Sequence, residues 1–134
     1  MNHDSECLKL AKKILQHSYA PYSDFHVAAV VVGKTGKLYP GVNVENASYG
    51  LTICAERVAI GTAITQGERE ISTVYVLTDT PQPTSPCGAC RQVLREFGKE
   101  IRVVMATVSG KTKISSLKKL LPASFGPENL NRRT

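Results

Sequence analysis

Three cysteines and one glutamate carry the chemistry this sequence offers. Cys87 and Cys90 stand in the string P-C-G-A-C, which sets two thiols three residues apart in the first turn of a helix, with Ser85 a fitting N-cap and Pro86 a fitting first helical residue. A helix N-terminus stabilises thiolates, the form that binds metal. Alone, the pair reads equally as a redox dithiol or as half of a closed zinc site. Cys54 lies thirty-three residues earlier in the string C-A-E, at the start of another apolar helix. Three thiolates plus one open position form the ligand set of a catalytic zinc, although a free cysteine also packs well as a small hydrophobe. Glu56 follows two residues after Cys54 in an otherwise apolar helix, where a carboxylate needs a partner or a task. Beside a metal-activated water, a carboxylate can accept a proton and pass it on.

The elements that must position these groups follow from periodicity. Asp4 or Ser5 to about Ser18 repeats Leu8, Ala11, Ile14 and Leu15 at helical spacing, with Ser5 as N-cap. Phe25 to Val32 is a β-branched apolar run typical of a strand covered on both faces, and Lys37 to Val44 reads as its hairpin partner across the turn at Gly33–Gly36. Ile53 to Thr65 suits a buried helix ended by Gly67, and Pro86 to Phe97 a helix closed by Gly98. Thr73 to Leu77 and Ile101 to Val108 read as strands, Thr112 to Ile114 as a short fifth, and Ser115 to Leu121 as a last helix; the tail from Ala123 has no periodicity. This order predicts one α/β domain spanning residues 1–134, a mixed sheet with helices on both faces, and parallel strands after the hairpin.

C-A-E followed by P-C-G-A-C resembles the signature of the zinc-dependent nucleoside and nucleobase deaminases in its three-cysteine form. The string Asn43 to Tyr49 is similar to the ribose-reading loop of the small homotetrameric cytidine deaminases, and A-P-Y-S-D-F from Ala20 and L-L-P-A-S-F-G-P from Leu120 agree with that family in its order. Ala28 departs from the glycine common there, which implies a small adjustment of strand packing. The resemblance implies a three-layer α/β/α cytidine-deaminase-like fold with a mixed five-stranded sheet. It also implies one Zn²⁺ per chain on Cys54, Cys87 and Cys90, Glu56 as proton carrier, and hydrolysis of cytidine or deoxycytidine to the uridine product and ammonia in pyrimidine salvage. Asn43 and Glu45 would hold the ribose hydroxyls, with Asn46 and Tyr49 in the same loop; Phe25 would lie against the pyrimidine, Ala47 would offer its carbonyl to the exocyclic amine, and Phe125 would close a neighbouring subunit's pocket. Ordinary alternatives stand beside these roles: Asn43 as a polar strand end, Phe25 as a core residue, and Phe125 as a pin for its own tail. Arg57 is similar to the family's arginine that bonds the cysteine ligands. It would offset the net negative charge that three thiolates leave on zinc.

Composition bounds the partners. Seventeen basic residues against eleven acidic give +6, but the basic residues are dispersed, without interleaved aromatics, so a solvated surface is expected and no nucleic acid. The longest apolar stretch, Val27 to Val32, is too short for a bilayer, and the polar first residues carry no export signal, so the expected setting is the reducing cytoplasm. Cys7 is expected only to pack, and His3, His17 and His26 match no ligand motif. Two rivals remain at this level: a deaminase of a related aminopyrimidine nucleoside such as blasticidin S, and a binding module whose structural zinc takes Cys7 as fourth ligand.

Overall fold

The computed structural model describes residues 3–130. Its helices and strands are α1 (Asp4–Leu15), β1 (Val27–Gly33), β2 (Leu38–Val42), α2 (Ala55–Thr65), β3 (Ile71–Thr78), α3 (Gly88–Arg95), β4 (Arg102–Thr107), β5 (Thr112–Ser116) and α4 (Leu117–Leu120). The strands form one mixed sheet in the order β2-β1-β3-β4-β5. β1 pairs antiparallel with both β2 and β3, and β3 pairs parallel with β4 through the α3 crossover. β5 returns antiparallel on β4, because a tight turn at Gly110 rather than a helix connects them; the expectation of parallel strands throughout this half is corrected there. The expected domain bounds of 1–134 and the end of the tail, residues 131–134, extend beyond the described residues.

Every residue of β1 is buried, and alternate side chains serve two cores. Val27, Ala29 and Val31 face α2, with Leu94 of α3 and Leu117 of α4 in the same cluster. Ala28, Val30 and Val32 face Cys7 and Ala11 of α1. Helices therefore cover both faces, giving the α/β/α layering. α1 is tied down by Asp4, whose carboxylate accepts two bonds from Arg102 at 2.7 and 2.8 Å and one from the Tyr75 hydroxyl at 2.5 Å. The Arg102 guanidinium holds the Asp4 carboxyl down at about 2.

Local rules moved several boundaries. α1 begins one residue before Ser5, which is inside the helix rather than its cap, and stops at Leu15, short of the expected Ser18. β1 starts at Val27 rather than Phe25, because Asp24 takes a left-handed turn (φ 57°) that breaks the extended run. Gly67 ends α2 in the left-handed region (φ 94°), as expected of a helix-terminating glycine.

α2 is seated very close to the sheet. A Cβ placed on Gly41 of β2 would lie 2.3 Å from the Ala59 backbone nitrogen and 2.7 Å from the Ala55 carbonyl oxygen. Only hydrogen fits there, and Ala55, Ala59 and Ala63 keep the facing side of the helix thin. Among the described residues, no helix is long and apolar enough to cross a membrane. Gly41→Ala should therefore push α2 outward, lowering stability by about 1–3 kcal/mol in denaturant titrations and weakening zinc retention against a chelator; wild-type values for both would show that the seat relaxes freely.

Candidate metal centre and cavity

Two helix N-termini meet at the cysteines. Cys54 is the N-cap of α2 and Cys87 the N-cap of α3, both in extended conformation. The expected start of α3, with Ser85 as cap and Pro86 in the first turn, is thus two residues early. The Cys87 sulfur takes the capping role instead by accepting the Cys90 N–H at 3.4 Å, which leaves Ser85 and Pro86 before the helix. Cys90 then projects from the first turn of α3.

The sulfurs of Cys54 and Cys87 are 3.9 Å apart, those of Cys87 and Cys90 3.4 Å apart, and all three ligand atoms lie within 4.8 Å of one another. Tetrahedral ligands at ~2.3 Å from zinc are separated by ~3.8 Å. The donor set and spacing fit zinc on three sides. Cys90 is fully buried, Cys54 is half-buried and Cys87 is exposed, so the fourth side opens outward. Cys7 lies in the other core, across the sheet, and belongs to no such cluster among the described residues. That removes the fourth cysteine a structural site would need, and Cys7 packs as expected, its thiol pushed up by burial.

Hydrogen bonding from Cys90 and Cys87, with help from Arg57, brings the Cys54 thiol down to about 5. The same contact with Cys54, together with burial, pushes Cys90 up. Without metal, the cluster holds one negative charge readily and resists a second. A divalent cation removes that resistance. Arg57 donates from Nη2 to the Thr52 carbonyl at 3.3 Å, while its buried Nε has no hydrogen-bond partner within normal geometry. Its guanidinium proton is held more tightly by Cys54 and Cys90, against the desolvation that opposes it. An orphaned cationic N–H facing sulfur is what a fully deprotonated, metal-bound cluster would satisfy.

Beside the cluster lies a cavity of about 220 Å³, whose lining includes Phe25, Asn43, Glu45, Cys54, Glu56 and Cys87. The sequence pattern singled out all six. Glu56 is 4% exposed, and burial pushes its carboxyl above the usual range, with the negative charge of Cys54 adding to the effect. Asn43 is buried, its Oδ1 accepting from the Val27 N–H at 3.1 Å and from the Ser18 hydroxyl, its Nδ2 donating to the Phe25 carbonyl at 2.7 Å. Glu45 accepts from the backbone N–H groups of Tyr22 and Ser23 at 2.9 and 3.1 Å and from the Ser23 hydroxyl, which chiefly holds its carboxyl low.

Four further expected site residues do not line this cavity. Asn46 uses its Oδ1 to accept the Ser48 N–H at 2.9 Å, and Ala47 is exposed. Tyr49 is 75% exposed, its ring 5.8 Å from that of Tyr22. Phe125 is 56% exposed, and its carbonyl accepts from Gln92 of α3 at 2.9 Å. The cavity also takes Thr52, Thr78, Thr84 and Ser85, which the sequence reading did not assign to it. Ser85 carried a signal, as the residue before P-C-G-A-C, but was read as a cap. Thr78 and Thr84 flank a proline-rich loop whose path no local pattern predicts.

Residues 1–107 match the family model for the cytidine and deoxycytidylate deaminase zinc-binding region. A cytidine deaminase from Sporosarcina psychrophila is 40% identical over 122 residues, 90% of each chain. One from Halalkalibacterium halodurans is 40% identical over 125 residues, covering 92% of this chain and 95% of its own. The crystal structure of cytidine deaminase from Burkholderia pseudomallei superposes with a TM-score of 0.87 at 42% identity, over 93% of this chain and all (100%) of that one. The centre should bind one zinc per chain, and X-ray absorption should find three sulfurs and one lighter atom around it; four sulfurs, or a protein that refuses zinc, would contradict the geometry.

Proposed function

The chain belongs to the cytidine and deoxycytidylate deaminase family, and from that premise we propose that it catalyses hydrolysis of cytidine and 2′-deoxycytidine to uridine and 2′-deoxyuridine with release of ammonia. The observation that carries this reading is Glu56. A carboxyl group 4% exposed, desolvated and beside a three-sulfur cluster, opens into the same cavity as Asn43 and Glu45. Zinc held by Cys54, Cys87 and Cys90 supplies Lewis-acid activation of water near neutral pH. Glu56 does the proton work: its raised affinity suits a group that takes the proton of the attacking water, delivers it to N3 of the pyrimidine, and helps the amine leave. Arg57 offsets the charge of the sulfurs so that the centre still withdraws electrons.

Phe25 supplies the apolar wall of the cavity for the pyrimidine, and Asn43 and Glu45 read the sugar. Asn43 has one amide N–H left to donate after its bond to Phe25, and Glu45 has lone pairs left to accept. A hydroxyl, which both accepts and donates, satisfies the two together. A phosphate would meet a carboxylate held in its charged form, which favours nucleosides over nucleotides. Asn46 shapes this loop through its turn at Ser48, Ala47 offers its backbone carbonyl to the exocyclic amine, and Tyr49 acts from the loop's outer face.

Phe125 completes the pocket of a second subunit in a homotetramer. Tyr22, Tyr49, Leu51, Ile53 and Phe125 are large apolar side chains at least two-fifths exposed, and Tyr22 and Tyr49 border a depression that shares Glu45 and Thr52 with the cavity lining. The tail that presents Phe125 is pinned to α3, where Arg95 bonds the Ser124 hydroxyl at 2.8 Å and pairs with Glu128. A cytoplasmic role in pyrimidine salvage suits a site built on free thiols.

Glu56→Gln should keep its zinc and lose at least ~10²-fold in kcat on cytidine, and the wild type should act poorly on free cytosine; equal kcat/KM on both would remove the sugar assignment. Light scattering should find a tetramer, and mixing Phe125→Ala with Glu56→Gln chains should restore part of the activity; an active monomer would exclude a shared pocket.

A further inference from the structure

The hydrogen bonds behind Asn43 admit only one arrangement of protons. The Val27 N–H must donate and the Phe25 carbonyl must accept, so Asn43 has its Oδ1 toward Val27 and its Nδ2 toward Phe25. The Ser18 hydroxyl, which also meets Oδ1, must therefore donate its single proton there. Ser18 Oγ lies 3.0 Å from His26 Nδ1, and with its own proton committed it can only accept, so Nδ1 carries a hydrogen. His26 Nε2 lies 3.0 Å from an Asp24 carboxylate oxygen, which also only accepts. Both ring nitrogens must be protonated, and the chain Asp24–His26–Ser18–Asn43 is complete only when His26 is an imidazolium.

We propose that His26 and Ser18 are positioning residues for the nucleoside: protonated His26 fixes the Ser18 hydroxyl on Asn43, and loss of that proton loosens Asn43 and weakens sugar binding. The role rests on the sugar-reading assignment of Asn43 above. When His26 is neutral, its bond to Asp24 keeps the hydrogen on Nε2, and the bare Nδ1 competes for the Ser18 proton. Asn43 Oδ1 then loses one of its two donors. Charged groups around the ring bear on its titration from each side. Asp24 is on its own loop, Asp79 follows β3 and Lys12 is on α1, the last two lining a depression with His26; Glu45 interacts with His26 through space. The left-handed backbone at Asp24 (φ 57°) sets its carboxylate and the His26 ring on one side of the turn, and aspartate adopts that conformation more readily than most residues.

The test uses the zinc-loaded enzyme with cytidine between about pH 5 and 8, where imidazoles change charge. The wild type should show KM rising roughly two- to tenfold with pH, the loss of one hydrogen bond, at a kcat that does not follow the same curve. Ser18→Ala and His26→Gln, which have no proton to exchange at this point, should lack that rise while keeping the pH profile that Glu56 imposes on kcat. A flat wild-type KM, or either variant retaining the wild-type rise, overturns the proposal. NMR titration of the His26 ring nitrogens in wild type and Ser18→Ala separates this from the proposed activity. The variant, lacking the acceptor for Nδ1–H, should release the proton at lower pH even if cytidine proves not to be the substrate, and an unchanged midpoint overturns the proposal independently.

Discussion

The seat of α2 on β2 is the constraint from which the site follows. Cys54, Glu56 and Arg57 fall within four consecutive positions at one helix end, so their placement in space is the placement of that helix. Gly41 lets the backbone of α2 approach β2 at a distance no other residue permits, and three alanines keep the contact free of bulky side chains. Protein interiors are too dense for such a contact to be adjusted by small amounts, so the helix has one position rather than a range. Leu94 of α3 and Leu117 of α4 share the core cluster of Ala55 and Ala59, and the second helix N-terminus is fixed against the first by the same packing.

Packing two helix starts together concentrates charge as well as residues. Three sulfurs within 4.8 Å would repel one another as thiolates, and the two helix N-termini and Arg57 act against that repulsion. Hydrogen bonds from Cys90 and Cys87, with help from Arg57, favour the first thiolate on Cys54, while burial and the contact with Cys54 resist a second on Cys90 until a cation is present. Glu56 needs the opposite treatment. It is the second residue of the same helix yet is pushed up, because desolvation outweighs the favourable helix end. A single helix terminus thus supports an acidic thiol and a basic carboxyl two residues apart, separated by how much water each retains.

The sequence was legible where periodicity or a close-spaced motif spoke. The C-A-E and P-C-G-A-C strings placed four groups that the fold brings together, and the β1 run of Val and Ala announced a strand covered on both faces. Boundaries failed where a single residue overrode the pattern: Asp24 in a left-handed turn cut β1 short, and Cys87 rather than Ser85 capped α3. The tail was illegible for a different reason. Its anchors, Arg91, Gln92 and Arg95, lie on the polar side of α3, where a sequence reading expects solvent; instead Arg91 bonds the Leu120 carbonyl at 2.7 Å and Arg95 is buried under Ser124 and Glu128. His26 matches no ligand spacing, and a hydrogen-bonded role through two other side chains leaves no spacing to find.

The groups proposed to read the sugar are held in place by the protein's own hydrogen bonds. Asn43 is fixed by backbone groups of β1 and of the loop before it, and Glu45 by two N–H groups and a hydroxyl from residues 22–23 of that loop. A carboxylate so held loses little conformational freedom on binding, so less of the interaction is spent on ordering it. The arrangement also accounts for the many polar residues of one loop: Tyr22, Ser23, Asp24 and Ser18 each hold a group proposed to read the ligand or hold another that does so. Because that loop connects α1 to β1, the two faces of the sheet meet at the cavity. α1 belongs to the core opposite the metal centre, yet the chain leaving it sets the donors and acceptors that face the centre's open side.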